Sequence, residues 1–194
     1  MSRKVTLEVF KFEELSETAQ TLAIQKYRES NHIFMEPFNE GAIEKIKEAG
    51  FTEPKLQYSL SYCQGDGLSF SAEKYTKLED LFNEVLGEGK KKTAKVLAEN
   101  CTTVMSGNTN RYCYASRSDI DVYLENYTSS YNKSDRMDEV VNKVMTKLED
   151  LYLKLCKQLE NDGYADIEYQ DSDESIKETL IANEYEYNED GTRY

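Results

Sequence analysis

The residues Gln64, Gly65, Asp66 and Gly67 are the stretch of this sequence whose composition most suggests a binding site. In a glycine-rich turn the backbone N–H groups are exposed, and several of them together can hold an anion such as a phosphate. This favours a small-molecule or nucleotide site at the loop. The negative charge of Asp66 opposes an anion, and a tight turn between two strands explains the glycines equally well. Both interpretations stay open on the sequence alone.

Residues that could carry out catalysis are scarce and scattered. General acid–base catalysis usually needs a histidine or a pair of tuned carboxyl groups, and the chain has one histidine, His32. Asp119 and Asp121 share a strand face, as ordinary solvated acids also do, and a nucleophilic Cys63 would need a base. The four cysteines are far apart and form no CxxC pair, whereas zinc ligands are clustered. We expect no catalytic residues, no metal and no cofactor, with the cysteines as buried thiols in a reducing cytosol.

The glycine-rich loop lies between two segments that alternate like half-buried strands. Apolar residues recur at every second position over residues 56–72, on both sides of the loop. The apolar side chains reach one face only if opposed positions sum to an even number, which places Tyr62 opposite Phe70 or Leu68. Either register predicts an odd-length loop of three or five residues. In the shorter loop Gly67 takes a left-handed conformation, and we expect this hairpin to be the centre of the sheet.

Other segments carry helix and strand signals in alternation. Serine and threonine caps, helical spacing of apolar residues and period-two alternation locate them. The first predicted elements are a strand over 4–12, a helix over 17–29 capped by Ser16, and a helix over 38–49 ended by Gly50. After the glycine-rich hairpin come a helix that begins with a capping box of Thr76 and Glu79 and a short helix near 90–100. A second hairpin follows, with strands over 111–116 and 119–127, whose Ile120, Val122 and Leu124 face inward.

The longest periodic segment predicts one helix over 135–161, ended by Gly163. Packing on the core is the favoured use of this helix and a coiled-coil dimer is the alternative. The acidic segment from about 160 to 194 predicts a helix over 174–183, capped by Ser172 or Asp173, and a strand over 184–187. We expect it to be ordered and docked. The sequence thus predicts one α+β domain over 1–194, with an antiparallel sheet of four or more strands and helices mainly on one face.

Charge and hydropathy limit the partners. The chain has 37 acidic and 24 basic residues and a net charge of −13. An acidic protein is a poor ligand for nucleic acid or for an anionic membrane, because both attract positive surfaces. No apolar run approaches the roughly 18 residues of a membrane span, and no signal peptide precedes the first strand, so we expect a cytoplasmic protein. The oligomeric state, monomer or dimer, stays open. The acids expected on an interacting surface are Asp119, Asp121, Glu125, Glu184, Glu186, Glu189 and Asp190.

Three segments resemble a family of small accessory proteins of tailed bacteriophages. These are SYCQGDGLSF in the middle, FEELS at 12–16 and IANEYEYNEDG at 181–191. Members of that family carry a strand-QGDG-strand element and are sometimes labelled antitoxins. They often have tryptophan near the loop, whereas this sequence has none and carries tyrosine there.

The resemblance implies a phage product that acts in the host cytoplasm. Together with the acidity and the lack of a catalytic set, it predicts a non-catalytic protein that blocks a host defence system, for example a CRISPR effector nuclease. An acidic face can occupy a basic nucleic-acid channel by charge complementarity. The alternatives are an antitoxin that neutralises a host toxin and a small-molecule site at the Gln64–Gly67 loop.

Overall fold

The computed structural model describes residues 8–106, 113–124 and 135–194. The described helices are α1 (Glu17–Ser30), α2 (Glu36–Ala49), α3 (Leu78–Leu86), α4 (Lys91–Glu99), α5 (Asp135–Gln170) and α6 (Asp173–Ala182). The described strands are β1 (Phe10–Lys11), β2 (Lys55–Ser59), β3 (Gly67–Ser71), β4 (Cys101–Ser106), β5 (Asp119–Leu124) and β6 (Glu186–Tyr187). Mixed helix and strand and one long helix in the second half of the chain are confirmed.

The chain divides into two compact units. One, here called the terminal unit, comprises Met1–Met35 and Tyr164–Tyr194, and the other, the central unit, comprises Glu36–Gly163. Helix α5 contributes residues to both. The single domain predicted for residues 1–194 stays a prediction. Among the described residues, no helix has the length and apolar character needed to cross a membrane.

The terminal unit joins the two ends of the sequence around a small core. Ser16 accepts a hydrogen bond from the Ala19 N–H and opens α1, and Ser172 caps α6 in the same way, as predicted. Strands β1 and β6 pair antiparallel. Its buried core is Phe12, Leu15, Ala19, Ala23, Ile24, Ile176, Leu180 and Tyr187. The acidic tail therefore contains a helix and a strand close to their predicted positions.

The central unit has the larger core, and α5 supplies one wall of it. Val144, Leu148, Tyr152, Cys156 and Leu159 recur at three- and four-residue steps and are 0–1% exposed. The core rings lie close together, with centroids 4.6 Å apart for Phe70 and Tyr152. This face of the long helix therefore packs on the core, which is the use that the sequence favours.

The prediction of one antiparallel sheet of four or more strands is wrong. In the described residues the strands pair two by two, as β1 with β6, β2 with β3 and β4 with β5. The side chain of Tyr152 explains the break beside β3, because its hydroxyl accepts from the Phe70 N–H at 3.0 Å and donates to the Phe70 carbonyl at 2.8 Å. A further strand would need those backbone groups. An isolated bridge between Ala72 and Met105 joins the two hairpins.

The first hairpin keeps the predicted parity but has another register. Leu56 lies opposite Phe70 and Tyr58 opposite Leu68, so opposed positions do sum to an even number. The predicted partners of Tyr62 and the loop of three or five residues are wrong. Ser59 and Gly67 form the last pair, so residues 60–66 form a longer, still odd-length loop that the Asp66 carboxylate organises, as described below.

Two other predictions are corrected by long-range contacts. Gly163 does not end the long helix, which runs on to Gln170. It is buried, and an added Cβ would lie 2.5 Å from a Leu60 methyl carbon and 3.0 Å from the Phe38 ring, so close packing explains this glycine. Thr76 does not cap α3, because its hydroxyl donates to the Gly50 carbonyl at 2.9 Å.

The second hairpin has a different partner strand from the predicted one. Strand β5 pairs with β4, and Ala115–Arg117 form a 3-10 turn. No strand is predicted over Cys101–Ser106, although Thr102, Thr103 and Val104 are β-branched residues typical of strands. Ile120 and Val122 face inward as predicted. Residues 107–112 and 125–134, which include parts of the predicted strands and loops, lie outside the described residues, as do residues 4–7 of the predicted first strand.

Candidate functional site

The loop between β2 and β3 is organised by the carboxylate of Asp66. One carboxylate oxygen accepts hydrogen bonds from the backbone N–H groups of Ser61 at 2.7 Å and of Cys63 at 3.0 Å. The other accepts from the Ser59 hydroxyl at 2.9 Å. A carboxylate that bonds several backbone N–H groups of one loop fixes the path of that loop. The loop is therefore a shaped element.

The same hydrogen bonds change the chemistry predicted for the loop. Two of the backbone N–H groups that an anion would need already bind the Asp66 carboxylate. A phosphate would have to displace a charge of its own sign. The exposed glycine-rich loop thus resembles an anion site that its own aspartate already fills.

Cys63 is unsuited to be a nucleophile here. Its thiol donates to Asp66 at 3.2 Å, and this hydrogen bond, with burial and the nearby charge as smaller causes, raises the pKa of Cys63. Thiolate is the reactive form, so a raised pKa makes the cysteine less reactive. His32, the one histidine, is exposed in a segment between α1 and α2. The described residues contain no group of three or more His, Cys, Asp or Glu side chains arranged to hold a metal ion.

Tyr62 is the aromatic side chain that the loop presents to solvent. It is 64% exposed, and its backbone has a φ of 56°. A bulky residue with positive φ is a genuine outlier, and such conformations persist where surrounding contacts enforce them. The hydrogen bonds of Asp66 to the N–H groups on both sides of Tyr62 supply that enforcement. The sequence alternation had placed Tyr62 on the apolar face of a strand, and that prediction is wrong.

The glycines of the loop serve two different needs. Gly65 has a φ of 136°, which favours glycine. Gly67 does not take the predicted left-handed conformation. A Cβ on Gly67 would lie 2.9 Å from the carbonyl oxygen of Cys113, so the close approach of another backbone segment requires glycine there. Gln64 is exposed at the tip of the loop.

Two of the predicted interface acids lie on β5. Asp119 is exposed, and Asp121 is partly buried and accepts a hydrogen bond from the Tyr123 hydroxyl at 3.0 Å. This bond, with the charge of Asp121, raises the pKa of Tyr123. Glu125, the third acid predicted for this surface, lies outside the described residues.

The other four predicted acids belong to the terminal unit, and their environments differ. Glu184 and Glu189 are exposed. Glu186 lies 3.6 Å from the Lys11 ammonium. Asp190 accepts from the Thr192 N–H at 2.9 Å and hydroxyl at 2.7 Å, and the hydroxyl bond is the main cause that lowers the pKa of Asp190. Asp190 therefore shapes the last turn of the chain.

The acidic charge is denser in the terminal unit. That unit contains fifteen acidic and seven basic residues, and the central unit contains 22 and 17. Their formal net charges are −8 and −5, although the terminal unit is about half the size. The seven acids predicted as one kind of surface are thus divided between the units.

Sequence reasoning missed Tyr62 as the exposed centre of the loop. The signal that could have located it is Asp66, because an aspartate three residues after Cys63 and five after Ser61 can accept from their N–H groups and close a wide loop. No protein-family model, curated protein or solved structure matches this chain.

Proposed function

We propose that the protein is a phage-encoded, non-catalytic binding protein that inhibits a host defence system through protein–protein contact. The observation that carries the proposal is the loop in which Asp66 holds Tyr62 outward. A rigid, exposed tyrosine offers a large contact area at little cost in conformational entropy, and tyrosine is enriched at binding hot spots. The internally filled N–H groups make this loop better suited to contact a protein than to bind an anion.

The charge of the chain indicates the kind of partner. A protein with a net charge of −13 is attracted to basic surfaces, such as the nucleic-acid channel of a nuclease. Exposed acids such as Glu184 and Glu189 are available for such contacts. The resemblance to phage accessory proteins is the support for host defence, and a CRISPR effector nuclease is the target we name.

The test has two parts. Tagged protein is used to capture partners from phage-infected bacteria, and the purified partner is then assayed for nuclease activity with increasing amounts of the protein. We expect a basic nuclease or defence component, inhibited at near-stoichiometric protein, with inhibition that weakens as salt rises. Tyr62→Ala should reduce capture at least about tenfold, as expected for a hot-spot residue.

The matched control is Tyr169→Ala, because Tyr169 is 59% exposed against 64% for Tyr62. This variant should capture the partner as well as the original chain does. Equal capture by both variants, or no specific partner from infected cells, would show that the proposal is wrong. Capture of a toxin in place of a nuclease would support the antitoxin alternative.

The nucleotide alternative has its own test. A ligand that binds the folded protein must raise its melting temperature. We expect a panel of nucleotides at millimolar concentration to leave the melting temperature unchanged, because Asp66 occupies the N–H groups. A nucleotide that stabilises the original chain and fails to stabilise a Gln64→Ala variant would favour a small-molecule site.

A further inference from the structure

The outward face of the β4–β5 hairpin is an exposed surface that combines apolar and acidic side chains. Val104 is 47% exposed and Tyr123 is 51% exposed. Val104 lies opposite Asp121, and Tyr123 lies opposite Thr102. Thr103, Ile120 and Val122 point to the other face, where they are buried. The alternation of the two strands thus separates a core face from a face available for contact.

The charged groups of this face are regularly spaced. Asp119, Asp121 and Tyr123 occupy alternate positions of β5, so neighbouring side chains are about 7 Å apart along the strand. The Tyr123 hydroxyl donates to Asp121, which fixes the ring beside the carboxylate. Described residues of this outward face include two carboxylates and an aromatic ring and no Lys or Arg.

A second observation supports a contact at this hairpin and concerns the edge of β5 that faces away from β4. Within the described ranges, β5 pairs with β4 and with no other strand. An edge strand presents unpaired N–H and C=O groups to which another strand can add. Pairing with β5 of a second copy would place Asp119 and Asp121 near the same acids, and like charges across a strand pair are destabilising. The edge is therefore biased against self-association and towards a basic strand.

We propose that β5 is the docking site for an extended segment of the partner protein that carries arginine or lysine at alternate positions. The segment adds as a strand to the edge of β5 with which no other strand of the described residues pairs. Its cationic side chains pair with Asp119 and Asp121, and one lies over the Tyr123 ring in a cation–π contact. The idea that the partner is a basic protein rests on the function proposed above, whereas the docking surface rests on β4 and β5 alone.

The test uses a fluorescent peptide of about eight residues in which arginine alternates with threonine. Binding to the full chain is measured by fluorescence anisotropy at about 0.15 M salt. We expect the double variant Asp119→Lys, Asp121→Lys to weaken binding by about tenfold or more, because two attractive ion pairs are replaced by two repulsive pairs of like charge. The control Glu44→Lys, Glu48→Lys, at two exposed acids of α2, changes the net charge equally and should stay within about twofold.

A second pair of peptides separates strand addition from simple charge attraction. One carries N-methyl groups on every second residue and the other carries them on the alternate set. Only one of the two sets of N–H groups points to β5 in an added strand, so one peptide should bind like its parent and the other should lose binding. Equal binding of both peptides, or equal weakening by the two charge variants, would overturn the proposal.

The outcomes keep this inference apart from the proposed function. If partner capture depends on Tyr62 while the peptide ignores β5, the docking inference is wrong and the proposed function stands. If the peptide recognises β5 with the expected N-methyl pattern while infected cells yield no specific partner, the proposed function is wrong and the docking surface stands. A Tyr123→Phe variant should bind nearly as well as the original chain, because the ring remains, and it confirms that the hairpin tolerates substitution.

Discussion

Two buried tyrosines allow a direct measurement of what one hydroxyl contributes to this fold. Tyr152 is 1% exposed and Tyr187 is 2% exposed. The Tyr152 hydroxyl bonds both backbone groups of Phe70 and lies 2.8 Å from the Ser118 hydroxyl. Because the phenol proton goes to the Phe70 carbonyl, Ser118 is the donor in the third bond. The Tyr187 hydroxyl is buried with no hydrogen-bond partner among the described residues. Replacement by phenylalanine should therefore have opposite effects at the two positions.

The magnitude follows from the groups left behind. Tyr152→Phe keeps the ring in place but removes the hydroxyl that bonds the buried N–H and C=O of Phe70, and the Cys156 thiol is the neighbouring group left at this backbone. A buried backbone group that loses its partner costs about 1–3 kcal/mol, and a thiol is a weak substitute, so we expect a loss of roughly 3 kcal/mol in the free energy of unfolding. Tyr187→Phe removes an unpaired buried hydroxyl, and we expect it to be neutral or to stabilise the protein by up to about 1 kcal/mol.

Urea unfolding followed by far-UV circular dichroism is the suitable assay, because the chain has no tryptophan. The dependence of the free energy on urea should be the same for all three proteins, so that a change in midpoint reports stability. Hydrogen exchange of the Phe70 amide gives a local measurement, and exchange should accelerate in Tyr152→Phe only. A cost below about 1 kcal/mol for Tyr152→Phe, or the same cost for both variants, would refute the reasoning.

Three further predictions concern glycines, a thiol and a carboxyl group. Gly41→Ala should stabilise the protein by about 0.5–1 kcal/mol, because nothing lies near the added Cβ in the middle of α2. Gly163→Ala should destabilise it by about 1 kcal/mol, because the added Cβ is too close to its neighbours. Thermal unfolding of the two variants measures both effects, and equal effects would contradict the packing argument. Asp66→Asn should lower the raised pKa of Cys63, because the hydrogen bond to the carboxylate is the main cause of the increase. Alkylation of Cys63 by iodoacetamide at pH 8, measured by peptide mass spectrometry, should therefore be faster, and an unchanged rate would contradict the role given to Asp66. The pKa of Asp190 is lowered on folding, so its contribution to stability is present above the ordinary value of 3.8 and disappears as the pH falls through the lowered value. Amide NMR signals of the last turn should therefore stay constant from pH 7 to about 5 and move only at lower pH, and movement near pH 6 would contradict the assignment.

Local signals in the sequence predicted the helices well. Ser16 and Ser172 both cap helices as predicted, because a cap depends on residues within one turn. The spacing of apolar residues also identified the buried face of α5, from Val144 to Leu159. The parity of the first hairpin was correct for the same reason, since alternation is a local property of a strand.

Predictions that depended on distant residues were wrong. Glycine is common where helices end, so Gly163 was expected to end the long helix. Its neighbours in space are Leu60 and Phe38, which lie about a hundred or more positions earlier in the sequence. The partner of β5 is β4, a strand that was not predicted from the sequence. The sheet is broken beside β3 because Tyr152, far along the chain, takes the groups of Phe70. No periodicity within a window reports such contacts.

The loop of the first hairpin illustrates how a site can be located by sequence and misread in chemistry. Its composition pointed to the correct region, because glycine and aspartate mark an unusual backbone. From the sequence, the charge of Asp66 is expected to oppose anion binding. In the structure the Asp66 carboxylate itself accepts hydrogen bonds from the backbone N–H groups that an anion would use. The apolar character of Tyr62 predicted burial, yet loop geometry turns it to solvent.

One substitution, Asp66→Asn, can distinguish the two roles proposed for this loop, because anion binding and presentation of Tyr62 predict opposite effects of it. If the loop binds an anion, Asp66→Asn removes a repelling charge and should increase the melting-temperature shift caused by nucleotides. If the loop presents Tyr62, the amide has one acceptor oxygen where the carboxylate has two, so some of the bonds to Ser59, Ser61 and Cys63 are lost. Tyr62 then loses its enforced backbone conformation, and Asp66→Asn should weaken partner capture in the same direction as Tyr62→Ala. The hydrogen bonds already made by Asp66 favour the second outcome.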